Sequence, residues 1–184
     1  MQRNEIEGTS MKNVERKLIS ELMKNSRRSD RELAQAIGVS QPTVSRTIKK
    51  LEKEGYIREY TMIPDFHKLG YEIAALTFVR LRRELDVEEI EKAKKIAKEH
   101  LKENSSEIVM VERGIGLGYD GVFVSIHEDY ASYMKFKNGV SQDAFLEASS
   151  IENFLVSLSE TKFRPLTFKT LAKHVLTLKE KEKE

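Results

Sequence analysis

The sequence predicts an α+β protein in two parts: three helices with a wing, then strands and helices in β-α-β-β-α-β order. Three observations carry this reading. Up to Gly55, apolar residues recur every three or four positions in three short runs separated by polar or glycine breaks, which is helix periodicity. From Tyr71 onward, β-branched and aromatic runs alternate with one long and one short amphipathic stretch. A chain of 184 residues with 39% apolar and 34% charged residues suits one large or two small folded domains with highly charged surfaces.

The elements follow in order. Ser10 to Ser26 reads as a helix, with Val14, Leu18, Ile19, Leu22 and Met23 on one face and Ser10 as its cap. Asn25 to Arg28 is a polar break. Ser29 or Asp30 opens a second helix, where "SDRE" supplies a capping box and Leu33, Ala34 and Ile37 face inward. Gly38 ends it, Val39 makes a very short turn, and Ser40 caps a third helix with Pro42 in its first turn. Gly55 stops that helix. "YIREYTMIPDFHKLG" alternates and is interrupted by Pro64, so a small β-hairpin and a connecting segment are expected. Strands are then expected over Tyr71–Leu81, Ser106–Gly114, Asp120–Ile126 and Ile151–Ser159, and helices over Asp86–Asn104 and His127–Asn138. That order is the ferredoxin-like arrangement. "PLTFKTLAKHV" reads as a terminal helix, and "KEKEKE" as a solvated tail. The expected boundaries are 1–60 for the winged helix-turn-helix domain, 61–70 for the connection, 71–176 for the ferredoxin-like domain and 177–184 for the tail.

With no cysteine, thiolate metal sites, disulfides, iron–sulfur clusters and cysteine nucleophiles are excluded. No apolar run has the length of a membrane span or a signal core, and a cytoplasmic location is expected. The net charge of +2 is unevenly spread: up to Pro64 there are 13 Lys and Arg against nine Asp and Glu, while acidic residues exceed basic ones in the remainder. A basic N-terminal part fits an anionic partner.

The third helix sharpens this. On a helical wheel Val44, Ile48 and Leu51 form one stripe. The opposite arc carries Arg46, Lys49 and Lys53, flanked by Thr43 and Lys50 on one side and Pro42 and Ser45 on the other. An isolated helix of this kind is usually just a solvated basic face. The setting argues otherwise, since a capped helix, a glycine, a turn of about three residues and a following wing together make helix-turn-helix grammar. In that frame the helix N-terminus enters a major groove, so Gln41, Pro42, Thr43, Ser45 and Arg46 are candidate base readers, and the capping Ser40 is counted with them as a DNA-binding residue. Lys49, Lys50 and Lys53 are candidate phosphate contacts.

On these residues a resemblance appears. "AQAIGVSQPTVSRTIKKLEKEGYI" and its continuation "IPDFHKLGYEIAALTFV" resemble the Lrp/AsnC (leucine-responsive, feast–famine) transcription regulators of bacteria and archaea, in an archaeal-like form. The resemblance is strong over Met11–Leu81 and weaker beyond. It implies a sequence-specific DNA-binding regulator of double-stranded DNA with an imperfect palindrome as its site. It also implies a homo-oligomer of one or more dimers and an amino-acid-like effector at the second domain. Lys12 stands where the family usually has a capping Asp, and Ser10 can take that role.

"GIGLGYDG" contains a literal Gly-x-Gly-x-x-Gly at Gly116, Gly118 and Gly121. A nucleotide site needs a helix after it, and "VFVSI" reads as a strand, so a hairpin is expected. The family resemblance places a Gly-x-x-Asp effector signature at this hairpin. Here Gly118, Tyr119 and Asp120 are the candidates, with spacing that departs from the pattern. His67, His100, His127 and His174 show no metal-ligand spacing. No catalytic residue, metal or cofactor is expected. The alternatives are an Lrp-like enzyme of the siroheme decarboxylase type, similar in fold order only, and an amino-acid sensor with a protein partner.

Overall fold

The computed structural model describes residues 11–92, 94–95, 107–142, 148–159 and 165–178. The chain forms two compact units. One comprises Met1–Ile63 together with Arg164–Glu184, and the other Pro64–Phe163.

In the first unit α1 (Asn13–Lys24), α2 (Asp30–Ile37) and α3 (Gln41–Lys53) meet on a core of Leu18, Leu33, Ala34, Val44 and Leu51. Ile19, Leu22, Ile37, Val39, Ile48 and Ile57 pack around it. These are the apolar stripes the periodicity marks. Each fully buried leucine contributes about 1.5–3 kcal/mol relative to exposure. Ser29 caps α2: its Oγ accepts the Glu32 N–H, and the Glu32 carboxylate accepts the Ser29 N–H. Gly38 adopts the left-handed conformation (φ 73°), which lets the Gly38 and Val39 N–H groups both donate to the Ala34 carbonyl. The turn to α3 is therefore as short as the spacing requires.

Three expectations are corrected here. The first helix begins at Asn13, with Lys12 at its cap position and the Glu15 carboxylate accepting the Lys12 N–H at 2.7 Å. Ser10, the expected cap, lies outside the described residues. Among the described residues the segment expected to form the wing is not paired as a hairpin. Residues 57–65 run without strand pairing, because Pro64 and the short 3-10 turn His67–Leu69 leave no return strand to face them. The Tyr60 hydroxyl instead donates to Glu52 Oε1 at 3.1 Å, folding this segment back on α3. Finally, the terminal helix α6 (Leu171–Thr177) packs against α1, whereas the expected boundary at 176 places it in the second domain.

The second unit is a four-stranded antiparallel sheet of β1 (Ile73–Leu81), β2 (Ile108–Gly116), β3 (Tyr119–His127) and β4 (Ala148–Ser157), in spatial order β2-β3-β1-β4. That is the ferredoxin-like order. Helix α4 is described over residues 87–92 and 94–95; the rest of the expected Asp86–Asn104 helix lies outside the described residues. Helix α5 spans Tyr130–Gln142. The alternation in β1 buries Ala75, Thr77 and Val79 on the face that carries Ser125 and His127 of β3. Tyr133 and Phe136 of α5 pack on the His127 ring, so α5 covers that face. Two polar pairs lie on that face at 2.8 Å, Ser125 Oγ bonded to His127 Nε2, which is buried, and Thr77 Oγ1 donating to Asn153 Oδ1, which is part-buried. Among the described residues no helix is long and apolar enough to cross a membrane.

Candidate nucleic-acid interface

Helix α3 is built from both ends. Ser40 Oγ accepts the Thr43 N–H and lies 2.8 Å from Thr43 Oγ1. Pro42 occupies the first turn, where its missing N–H costs nothing. At the other end the Tyr56 N–H donates to the Leu51 carbonyl and the Gly55 N–H to the Glu52 carbonyl, closing the helix. Val44 and Leu51 are fully buried and Ile48 packs beside them, which fixes the rotation of the helix.

The side chains then divide. Gln41, Pro42, Thr43, Arg46, Lys49 and Lys53 are exposed, and Ser45 is half-buried. Among the described residues no hydrogen bond or ion pair holds the side chains of Gln41, Ser45, Arg46, Lys49 or Lys53. Ser40 and Thr43 are partly used in capping. Lys50 differs, because its ammonium donates to Glu15 Oε1 at 2.6 Å and lies 3.7 Å from Glu54. The Glu15 hydrogen bond pushes the Lys50 pKa up. Burial by itself would raise the Glu15 pKa; the bonds from Lys50 and the Lys12 N–H outweigh it and hold the carboxyl below its ordinary value. Lys50 thus ties α3 to α1, whereas Lys49 and Lys53 are exposed and carry no such ion pair among the described residues. The signal for this is legible after the fact: Glu15 stands three residues before Leu18, on the apolar stripe of α1, where an acid needs a cation. A carboxylate also recruits the segment after α3: burial, with Glu52 beside it, pushes the Tyr60 hydroxyl up to about 12.

The second candidate site lies at the β2–β3 turn. Leu117 (φ 52°) and Gly118 (φ 74°) form its corner, with Gly116 paired to Tyr119. Two successive positive φ values are those of a type I′ hairpin turn. Strand β3 follows directly, so the glycine pattern opens no helix and offers no phosphate cradle. Tyr119 lies under the Arg80 guanidinium, 5.1 Å from its ring centroid, and 5.6 Å from Phe78. Arg80 donates to the Gly118 carbonyl, and Asp120 Oδ2 accepts the Leu81 N–H at 2.8 Å. All three candidate effector residues are thus drawn into contacts that close the end of the sheet. The histidines are scattered. His67 and His174 are exposed, His127 is buried, its pKa lowered by burial, and His100 lies outside the described residues. Among the described residues no group of three or more His, Asp or Glu is placed to hold a metal ion.

Comparison with known proteins agrees with this geometry. Residues 11–58 match the winged helix-turn-helix DNA-binding family model. An uncharacterized HTH-type transcriptional regulator of Pyrococcus furiosus is 36% identical over 106 residues, 58% of this chain and 66% of the relative. The leucine-responsive regulatory protein of Rhizobium meliloti is 34% identical over 73 residues, 40% of this chain and 47% of the relative. The chain spans about half to two thirds of the length of the curated relatives it matches. The crystal structure of PH0061, an HTH-type regulator of Pyrococcus horikoshii, superposes with a TM-score of 0.69 at 26% identity, over 86% of this chain and 99% of that one. Two structures share the fold at lower identity. Escherichia coli AsnC gives a TM-score of 0.63 at 20% identity, covering 85% of this chain and 98% of its own. The Neisseria meningitidis regulator NMB0573, solved in complex with L-Met, gives 0.65 at 17%, covering 86% and 94%. By its helix-turn-helix the chain is similar to HTH-type transcriptional regulators, and by its sheet order it shares the fold of the AsnC structures.

Proposed function

We propose that the protein is a sequence-specific DNA-binding transcription regulator, a binding protein and not an enzyme, acting as a dimer or a multiple of dimers. The observation that carries this is the exposed edge of the first half of α3, where Gln41, Pro42, Thr43 and Arg46 stand outward from a helix whose rotation is fixed by the buried Val44 and Leu51. Gln and Arg at the N-terminal end of a recognition helix read base edges bidentately, and Lys49 and Lys53 follow as phosphate contacts. One relative is named an HTH-type transcriptional regulator and another a leucine-responsive regulatory protein.

Oligomerisation is supported by the sheet face opposite α5. Phe154 is 62% exposed with Val156 exposed beside it, Met110 is exposed on the opposite edge strand, and the register brings Leu76, Phe78 and Val124 onto the same face between them. An open apolar face of this kind on a sheet fits the same face of a second copy about a two-fold axis. Two-fold symmetry then calls for an imperfect palindrome with half-sites about one helical turn apart, or a multiple of it. A small amino-acid-like effector at the second unit is supported by the L-Met complex of the neisserial neighbour. For it to engage Asp120, it must share or displace the bond to Leu81. Selection from a random DNA library followed by gel retention tests the regulator reading. A recovered palindromic consensus is expected, and no retention even at low salt overturns it. Calorimetry with free amino acids tests the effector: no heat and no change in DNA affinity removes it.

A further inference from the structure

We infer that α6 is a clasp, a C-terminal helix that docks reversibly on α1 and couples the order of the DNA-binding unit to the end of the chain. The chain leaves the first unit after Ile63 and returns to it from Arg164. On returning it forms a helix of seven residues. A helix this short does not hold in water by itself, since isolated helices below about 12–15 residues are marginal. Its structure therefore depends on its seat. That seat is α1: Ala172 is fully buried there, and the Arg16 guanidinium of α1 donates to the Leu178 carbonyl just past the last turn, where a cation suits the helix dipole. Ser20 on α1 is buried, and among the described residues its hydroxyl has no hydrogen-bond partner.

The seat is shallow. Ala172 is the one buried residue of α6, while Leu171 and Leu176 stay more than 40% exposed. A cavity of about 180 Å³ remains between Lys17, Ser20, Glu21, Ala36, Ile37 and Leu176, so α6 does not fill the groove it covers. Small buried area and an incomplete fit make a contact that opens without unfolding the unit. Yet α1 is the helix whose Glu15 anchors Lys50 of α3, so the clasp acts on the element that positions the recognition helix.

The test uses the full chain, which has no cysteine, so one introduced thiol reports one position. Single variants Ala172→Cys, Lys173→Cys and Val44→Cys are labelled with a chromogenic disulfide reagent. The exposed Lys173→Cys thiol should react freely, Ala172→Cys roughly ten- to a thousandfold slower, and Val44→Cys slower again, because opening free energies rise from surface contacts to the core. If Ala172→Cys reacts as fast as Lys173→Cys, or as slowly as Val44→Cys, there is no clasp. Coupling, which rests on the DNA reading, has its own arm. A chain ending at Ser159 should bind the selected DNA roughly three- to tenfold more weakly, and saturating DNA should slow labelling of Ala172→Cys by the same factor, as linkage demands. DNA that binds and leaves that rate unchanged overturns the proposal. Absence of any DNA retention sinks the regulator reading instead, and the labelling order then decides the clasp.

Discussion

The two stretches that the sequence marks for binding, the start of α3 and the β2–β3 hairpin, spend their polar groups in opposite ways. In α3 a small share goes to capping, and the rest of the polar edge faces solvent. In the hairpin, Gly118, Tyr119 and Asp120 are all tied to Arg80 or Leu81. A surface built to meet a partner leaves donors and acceptors unspent on a rigid support; a surface built to close a sheet uses them internally. The same contrast divides α3 itself, since Lys49 and Lys53 are free among the described residues while Lys50 is held by Glu15.

Four measurements press on this contrast, from the largest effect to the smallest. Arg46→Ala should cost about 1–3 kcal/mol on the selected site and far less on random DNA, measured by fluorescence anisotropy. Equal loss on both would make Arg46 a phosphate contact and blur the division of α3. Glu15→Ala should lower the stability of the first unit by about 1–3 kcal/mol in thermal melts, because it strands the Lys50 ammonium and the Lys12 N–H. The pH dependence has a definite sign. The folded Glu15 pKa lies below the ordinary 4.5, so its contribution is complete above that value and fades as pH falls through the folded one. The variant should therefore converge on the native chain in acid; a gap that widens in acid contradicts the pairing. Lys53→Ala and Lys49→Ala should each flatten the salt dependence of DNA binding by about one unit of slope, and Lys50→Ala by much less. A full unit lost with Lys50→Ala would show that DNA pulls it from Glu15. The smallest effect tests the hairpin as structure. Leu117 is 84% exposed at a positive φ that Asn tolerates better, so Leu117→Asn should stabilise the second unit by about 0.5–1 kcal/mol. Destabilisation there would indicate a packing role for Leu117 that its exposure denies.

Much of this was legible in the sequence because the signals are local. Ser29, Ser40, Gly38 and Gly55 act within a few residues of themselves, and they mark the start or end of α2 and α3 to within a residue or two. The strands were legible for a similar reason: they are local runs of β-branched and aromatic residues, and β1 also alternates in burial. The failures involve residues distant in sequence. Alternation in "YIREYTMIP" resembles a hairpin strand, but a hairpin needs a second strand, and the chain turns into His67–Leu69 instead. Lys50 looks like its lysine neighbours until Glu15, 35 residues away, is brought beside it.

The sequence by itself determined the helix-turn-helix, the β-α-β-β-α-β order and the side chains that α3 presents, because capping, periodicity and glycine conformation are decided by near neighbours. The tertiary structure alone decided which of those side chains are free to bind, and that the last helix returns to the first. Both depend on pairings across long stretches of chain, where the partner is chosen by packing and charge and leaves no periodic mark in the sequence.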